Sequence, residues 1–184
     1  MSINNSAKII TGPKTRWSFV NVWEPKAING GTPKYSVSLI IPKSDTETLA
    51  KVKAAIEAAY RDGESRLRGN GKDVPPLASL KTPLRDGDLE RPTDENYANS
   101  YFINANSRSE PGIVNENRQP ILDKNEVYSG VYGRASITFY AFNVNGSRGI
   151  ACSLNNLQKL ADGPSLGGKS SAADDFIDAD GFLE

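Results

Sequence analysis

The chain has 184 residues, 38% of them apolar, which suits a single domain with one core and a tail. It has no histidine and one cysteine, Cys152, so Cys/His zinc sites, a Ser-His-Asp triad, a Cys-His pair and a disulfide framework are all excluded. Basic and acidic residues balance at 22 each, but residues 170–184 hold five acids and no base, leaving 22 basic against 17 acidic side chains (+5) in residues 1–169. A mildly basic body with a purely acidic end points to a charged partner and an interaction tail.

No apolar run approaches the ~20 residues of a membrane span, and the N-terminal stretch MSINNSAKII has no secretory pattern. The expectation is a cytoplasmic protein with no membrane contact. Cys152, between Ala151 and Ser153, reads as a small buried residue. Carboxylate-only metal sites and a Ser-Lys pair stay open on composition, but no constellation of either kind stands out. No metal, cofactor or catalytic residue is expected.

In chain order, KTRWSFVNVW (Lys14 to Trp23) is aromatic and β-branched and predicts a strand. Asn29-Gly30 marks a turn, and KYSVSLIIP then alternates, with Tyr35, Val37, Leu39 and Ile41 on one face. The two segments predict a hairpin with a long loop. SDTETLAKVKAAIEAAYRDG predicts one long helix, with a capping box of Ser44 and Glu47 and an apolar stripe of Leu49, Val52, Ile56 and Ala59. Residues 63–96 are rich in Gly, Pro and charge and read as a long loop, with a short strand at Leu77–Leu80. Within it, DGDLE (Asp86–Glu90) is a faint calcium-loop match without the required glycine position or distant glutamate, and reads as a solvated turn.

NSYFINANSRS and EVYSGVYGRASITFYAFNVNG restore strands, and Asn145-Gly146 turns the second into SRGIACSLNN as a hairpin. LNNLQKLAD predicts a short helix with Leu154, Leu157 and Leu160 inward. Two strands, a helix, a long loop and about four more strands predict a mainly β, β-rich α+β chain. The architecture expected is a Greek-key barrel of the oligonucleotide-binding type over residues 1–161, followed by a flexible linker and disordered acidic tail over 162–184.

GPSLGGKS (Gly163 to Ser170) fits the phosphate-loop pattern G-x-x-x-x-G-K-[ST]. A working loop has a strand before it and a helix after it. Here a helical pattern precedes the motif and acidic residues follow, so it reads as a linker.

In RASITFYAF, alternation turns Ala135, Ile137, Phe139 and Ala141 inward and leaves Arg134, Ser136, Thr138, Tyr140 and Phe142 outside. Rings beside cations are what single-stranded nucleic acid needs, for base stacking and phosphate neutralisation. The expected nucleic-acid-binding residues are Arg16, Trp17, Trp23, Lys26, Tyr128, Tyr132, Arg134, Tyr140, Phe142 and Arg148. Lys34, Tyr101, Phe102 and Arg108 lie in similar company but are not assigned. The tail DDFIDADGFLE cannot build a core, and its acids suit competition with phosphate for the basic body. Asp174, Asp175, Phe176, Asp178, Asp180 and Phe182 are the expected partner-binding tail residues.

RWSFVNVWEPK, KYSVSLIIPKSD, VYSGVYGRASITFYAFN and GIACSLNNLQKLADGPSLGG, with the acidic end, resemble a family of phage and prophage single-stranded-DNA-binding proteins over nearly the whole chain. The layout is similar to that of the single-stranded-DNA-binding proteins of T-odd phages. The resemblance implies an oligonucleotide-binding barrel without enzymatic activity, a homodimer, and a tail that competes with DNA and binds replication or recombination proteins. In those proteins the tail ends in an aromatic residue, whereas here Phe182 is third from the end. The resemblance assigns no DNA-contacting residue. The alternative reading is a protein-interaction barrel that binds no nucleic acid.

Overall fold

The computed structural model describes residues 5–27 and 30–166. Its strands are β1 (Lys8–Ile10), β2 (Arg16–Lys26), β3 (Lys34–Pro42), β4 (Leu84–Asp86), β5 (Ser100–Ser107), β6 (Gly112–Val114), β7 (Tyr132–Val144) and β8 (Ser147–Ala161). The helices are α1 (Thr46–Asp62), α2 (Glu64–Arg68) and α3 (Gly87–Glu90).

Five strands close on themselves. β2 pairs antiparallel with β3, β3 with β5, β8 with β7, and β7 returns to β2 at Arg16↔Tyr132. The remaining junction, β5 with β8, is parallel at Asn106↔Ser153. Closure removes the free edges that an open sheet would expose. β1 extends the β7 side, β6 lies against β8, and β4 lies on β5. The expected oligonucleotide-binding-type barrel with one long helix is therefore present.

The alternation read from β3 and β7 holds except at Tyr35, which is only half-buried. Val37, Leu39 and Ile41 of β3 and Ala135, Ile137, Phe139 and Ala141 of β7 are buried in one core. The helix α1 lays Leu49, Val52, Ile56 and Ala59 on that core. Its cap sits one residue later than expected. Asp45, not Ser44, accepts from the Thr48 amide at 3.2 Å, and Glu47 instead pairs with Lys51 along the helix at 3.6 Å. The Thr48 hydroxyl also takes the Gly12 amide at 3.0 Å, so the cap ties the segment after β1 to the helix.

Three local expectations are corrected. Leu77–Ser79 is a 3-10 turn, not a strand. DGDLE is the end of β4 followed by α3. LNNLQKLAD is not a helix: β8 runs unbroken to Ala161. The cause is a bulge, since Ser136 pairs with Asn156 and Ile137 with Leu154, leaving Asn155 as an extra residue. Leu154 and Leu157, three apart, then face the same core, and a bulged strand imitates helical spacing.

β7 and β8 form the longest ladder, thirteen residue pairs from Tyr132↔Ala161 to Val144↔Ser147. Asn145 (φ 50°) and Gly146 (φ 83°) form its two-residue turn, both in the left-handed region that such hairpins require. The Asn29 half of the other turn signal lies outside the described residues.

Candidate nucleic-acid interface

The outer wall of β2, β3 and β5 changes character along its length. At one end Ile40, Tyr97 and Phe102 form a small apolar cluster, with Tyr97 and Phe102 edge-to-face at 5.0 Å. Next come polar pairs: Ser38 beside Asn104, and Ser36 beside Asn106 and Asn21. At the other end Lys26 and Lys34 face each other across the ladder, and Arg108 follows the end of β5. Together with Phe19 and Arg91, the polar pairs and these three cations line a groove of about 520 Å³. None of the described lining residues is acidic, and none of the four cations makes an ion pair among the described residues. Like charges directly opposite on a sheet repel. Lys26 opposite Lys34 is thus an unbalanced arrangement that a bound polyanion would relieve.

Phe19 stands at the rim. β2 slips register between Ser18 and Asn21, and within that irregularity Phe19 has φ 47°. A bulky residue in this region is strained. The result is a phenyl ring 56% exposed, where ordinary alternation offers no such projection. Arg91 reaches the same place from the cap of α3. Its guanidinium lies 5.4 Å from the Phe19 ring centre, 4.7 Å from Tyr97 and 5.0 Å from Phe102. A cation held against rings this way keeps its charge while losing freedom.

Of the ten residues expected from sequence, only Lys26 lines this groove. Trp17 is a correction: it is fully buried, opposite Leu39, with its indole N–H donating to the Gly133 carbonyl at 3.2 Å. Its ring fills the space where a Gly133 side chain would stand, with Cζ2 only 2.6 Å from a built Cβ. It seals the β2–β7 seam and offers no stacking face. Trp23 is half-buried against the core, and its indole nitrogen has no hydrogen-bond partner among the described residues.

Arg16, Tyr128 and Tyr132 gather where the chain leaves β8. Arg16 donates to the Pro164 carbonyl at 2.6 Å and lies over the Tyr132 ring at 5.1 Å. The Tyr128 hydroxyl donates to the Gly163 carbonyl at 2.9 Å. Leu166 donates its amide to Ser129 at 2.8 Å and packs on the Ile40–Tyr97–Phe102 cluster. Residues 162–166 thus form a strap across the barrel wall. Asp162 joins it: the Lys159 ammonium 2.7 Å away, then the Tyr128 hydroxyl, hold its carboxyl below the usual carboxylate range.

The strap bears on the phosphate-loop match. A strand, not a helix, precedes Gly163, so that objection to the motif falls. The Gly163 and Leu166 amides are nevertheless already engaged by Tyr128 and Ser129. Residues 167–170 lie outside the described residues.

Arg134, Tyr140 and Phe142 lie on the outer face of β7, across the barrel from β3. Arg134 is engaged by Gln158 Oε1, and Tyr140 is 41% exposed. Arg148 does not join them. It pairs with Asn143, which has the opposite parity from Phe142, and both approach α2 near Gly69. Asp174, Asp175, Phe176, Asp178, Asp180 and Phe182 lie outside the described residues. Nothing in the sequence pattern singles out Phe19 or Arg91, and it sets Lys34 and Arg108 beside rings without giving them a role. The polar stripes Lys34-Ser36-Ser38 and Asn104-Asn106-Arg108 could have found the last two by alternation.

Asp86 and Asp88 are taken up by Lys43, and among the described residues no cluster of three metal-ligating side chains converges. Cys152 is buried, which pushes its thiol far above the ordinary range. No helix among the described residues is long and apolar enough to cross a membrane.

A family model described as the single-stranded-DNA-binding protein of Enterobacter phage Enc34 matches residues 7–182. A protein p50 of Acyrthosiphon pisum secondary endosymbiont phage 1 is 30% identical over 172 residues, 89% of either chain. The fold is similar to that of the Enc34 phage single-stranded-DNA-binding protein solved with single-stranded DNA, with TM-score 0.69, 22% identity, and coverage of 91% of this chain and 96% of that one. It is also similar to gp2.5, a single-stranded-DNA-binding protein of bacteriophage T7, with TM-score 0.60, 13% identity and 93% coverage of each.

Proposed function

We propose a function from one premise: the chain belongs to the family of the Enterobacter phage Enc34 single-stranded-DNA-binding protein. This is a family of phage binding proteins, not of enzymes. Our reading is that the chain binds single-stranded DNA without regard to sequence, through the groove on β2, β3 and β5, during phage or prophage replication or recombination in the host cytoplasm. One observation carries the placement: Lys26 and Lys34 face each other, with Arg91 and Arg108 nearby, in a groove whose described lining has no acid. Barrels of this type take oligonucleotides on the face of their second and third strands, here β3 and β5. Phe19 supplies a ring for a base, and stacking of that kind is indifferent to sequence.

The acidic tail completes the reading. Asp174, Asp175, Asp178 and Asp180 would compete with phosphates for the groove, and Phe176 and Phe182 would anchor in replication or recombination partners. In support, the strap delivers the chain as far as Leu166 onto the cluster that also holds Arg91. Residues 162–166, expected from sequence to be linker, are held against the barrel. A homodimer belongs to the same reading. Ile10, Tyr140 and Val144 are exposed on one face of β1 and β7, a suitable seat for a second copy.

The test is fluorescence anisotropy with labelled oligo-dT and a duplex of equal length at low salt. Binding of oligo-dT in preference to the duplex is expected, and deletion of residues 170–184 should tighten it. No binding to oligo-dT by either form would leave a protein-interaction barrel as the better reading.

A further inference from the structure

Arg91 enters the groove from outside the barrel. It caps α3, a four-residue helix inside the long excursion between α1 and β5. So short a helix does not hold its own position. The pairing of β4 with β5 brings the chain to its first residue, and an Arg85–Glu90 pair spans it; the charged contacts at its N-terminal end gather on Lys43, just past the end of β3. The Lys43 ammonium lies 3.0 Å from Asp86 Oδ1 and 2.8 Å from Asp88 Oδ2. Asp86 also caps the helix through the Asp88 amide at 3.0 Å, and Asp88 takes the Asn99 amide at 3.0 Å. The Lys43 amide donates to the Asn99 carbonyl at 2.9 Å, closing the knot. From there Arg91 is one helical turn away, its amide bonded to the Gly87 carbonyl at 2.9 Å. Gly87 leaves no play, since a built Cβ would stand 2.2 Å from the Tyr97 carbonyl oxygen.

We infer that Lys43 is a positioning residue for nucleic-acid binding: by clasping Asp86 and Asp88 it sets α3, and α3 presents the Arg91 guanidinium to the groove against Phe19, Tyr97 and Phe102. The inference rests on the groove reading above. Lys43 does not line the groove, and its charge is outnumbered locally by two carboxylates. The acids also give the clasp an unusual sign. Removing negative charge near a polyanion site tightens binding by Coulomb's law alone. The clasp requires the opposite, because Asp86 and Asp88 hold a cation in place.

The experiment compares wild type with Lys43→Met, Lys43→Arg, Arg91→Ala, the pair Asp86→Asn/Asp88→Asn, and Lys43→Met/Arg91→Ala. Anisotropy with oligo-dT is read across a salt series. One phosphate contact to single-stranded nucleic acid is worth about fivefold near 0.1 M salt and about 0.7 in the slope of log affinity against log salt. Arg91→Ala, Lys43→Met and the Asp pair should each show about that loss. The double variant should be no weaker than Arg91→Ala, and Lys43→Arg, which can still bridge both carboxylates, should bind as wild type does. NMR without DNA gives a second readout, taken on variants whose thermal melt shows that the barrel is folded. The Arg91 Nε–H resonance, shifted by three rings in wild type, should move toward its random-coil position in the Asp pair and stay in place in Lys43→Arg. Tighter binding by the Asp pair, additive losses, or an unmoved Arg91 resonance would overturn the clasp alone. Failure of wild type to bind oligo-dT would overturn the groove reading as well.

Discussion

The cleanest discriminator between the two faces of the barrel is Lys34→Ala. Lys34 lies opposite Lys26 on the groove wall and pairs with no acid among the described residues. If its ammonium meets a phosphate, removing it removes one displaced counterion. For single-stranded nucleic acid, four such contacts give a slope of about −2.8 in log affinity against log salt, or roughly a 50-fold loss between about 50 and 200 mM salt. Lys34→Ala should flatten the slope to about −2.1 and cut the loss to about 20-fold. The like-charge pair with Lys26 disappears too, so the variant should be no less stable to heat than wild type. Arg134→Ala, on the far wall beside Gln158, should leave the slope untouched. The assay is anisotropy at five or so salt concentrations, with a thermal melt for each protein. A slope unchanged by Lys34→Ala but lowered by Arg134→Ala would refute the groove and restore the β7 face read from sequence.

Three further outcomes follow from the same geometry. Phe19→Ala should weaken oligo-dT binding by about 1–3 kcal/mol, the worth of one stacked base, while Phe19→Trp retains it; because Phe19 is exposed at φ 47°, Phe19→Gly should lose affinity yet melt no lower than wild type. The carboxyl of Asp88 is held below its ordinary 3.8 by the Lys43 ammonium and then the Asn99 amide, so its contribution is present above that value and lost as pH falls through the depressed one. The melting-temperature gap between wild type and Asp88→Asn should accordingly be open at pH 7 and close in acid, and a gap that widens on acidification would contradict this. Cys152 should resist a thiol reagent at pH 8 until the barrel unfolds, read by absorbance with and without denaturant; prompt labelling of native protein would contradict its burial.

Much of the barrel could be read directly. β3 and β7 alternate so cleanly that their inner faces were assigned residue by residue, and the Asn145-Gly146 turn fixed the hairpin. Where a strand is bulged, reading by period fails. Asn155 shifts Leu154 and Leu157 into helical spacing, and the register slip in β2 turns Phe19 outward. The groove was half legible. Alternation along β3 and β5 already separates Lys34, Ser36, Asn104 and Arg108 from the core. Arg91 was not legible, because it comes from a loop whose path depends on contacts with Lys43, more than forty residues earlier. Trp17 misled for a simpler reason. Its neighbours are cationic, but its own parity is that of Leu39.

The long hairpin contrasts with the seam that closes the barrel. Its two ends are joined by a two-residue turn, so β7 and β8 can zip within microseconds at small entropic cost. The seam that closes the barrel joins residues 116 apart, Trp17 and Gly133. On the ribosome β2 and β3 emerge first and wait for the strand that completes them. Until β7 arrives, Trp17 has no carbonyl to meet and the inner wall stays open to water, so the interval before closure is when the nascent chain most needs shelter from its neighbours.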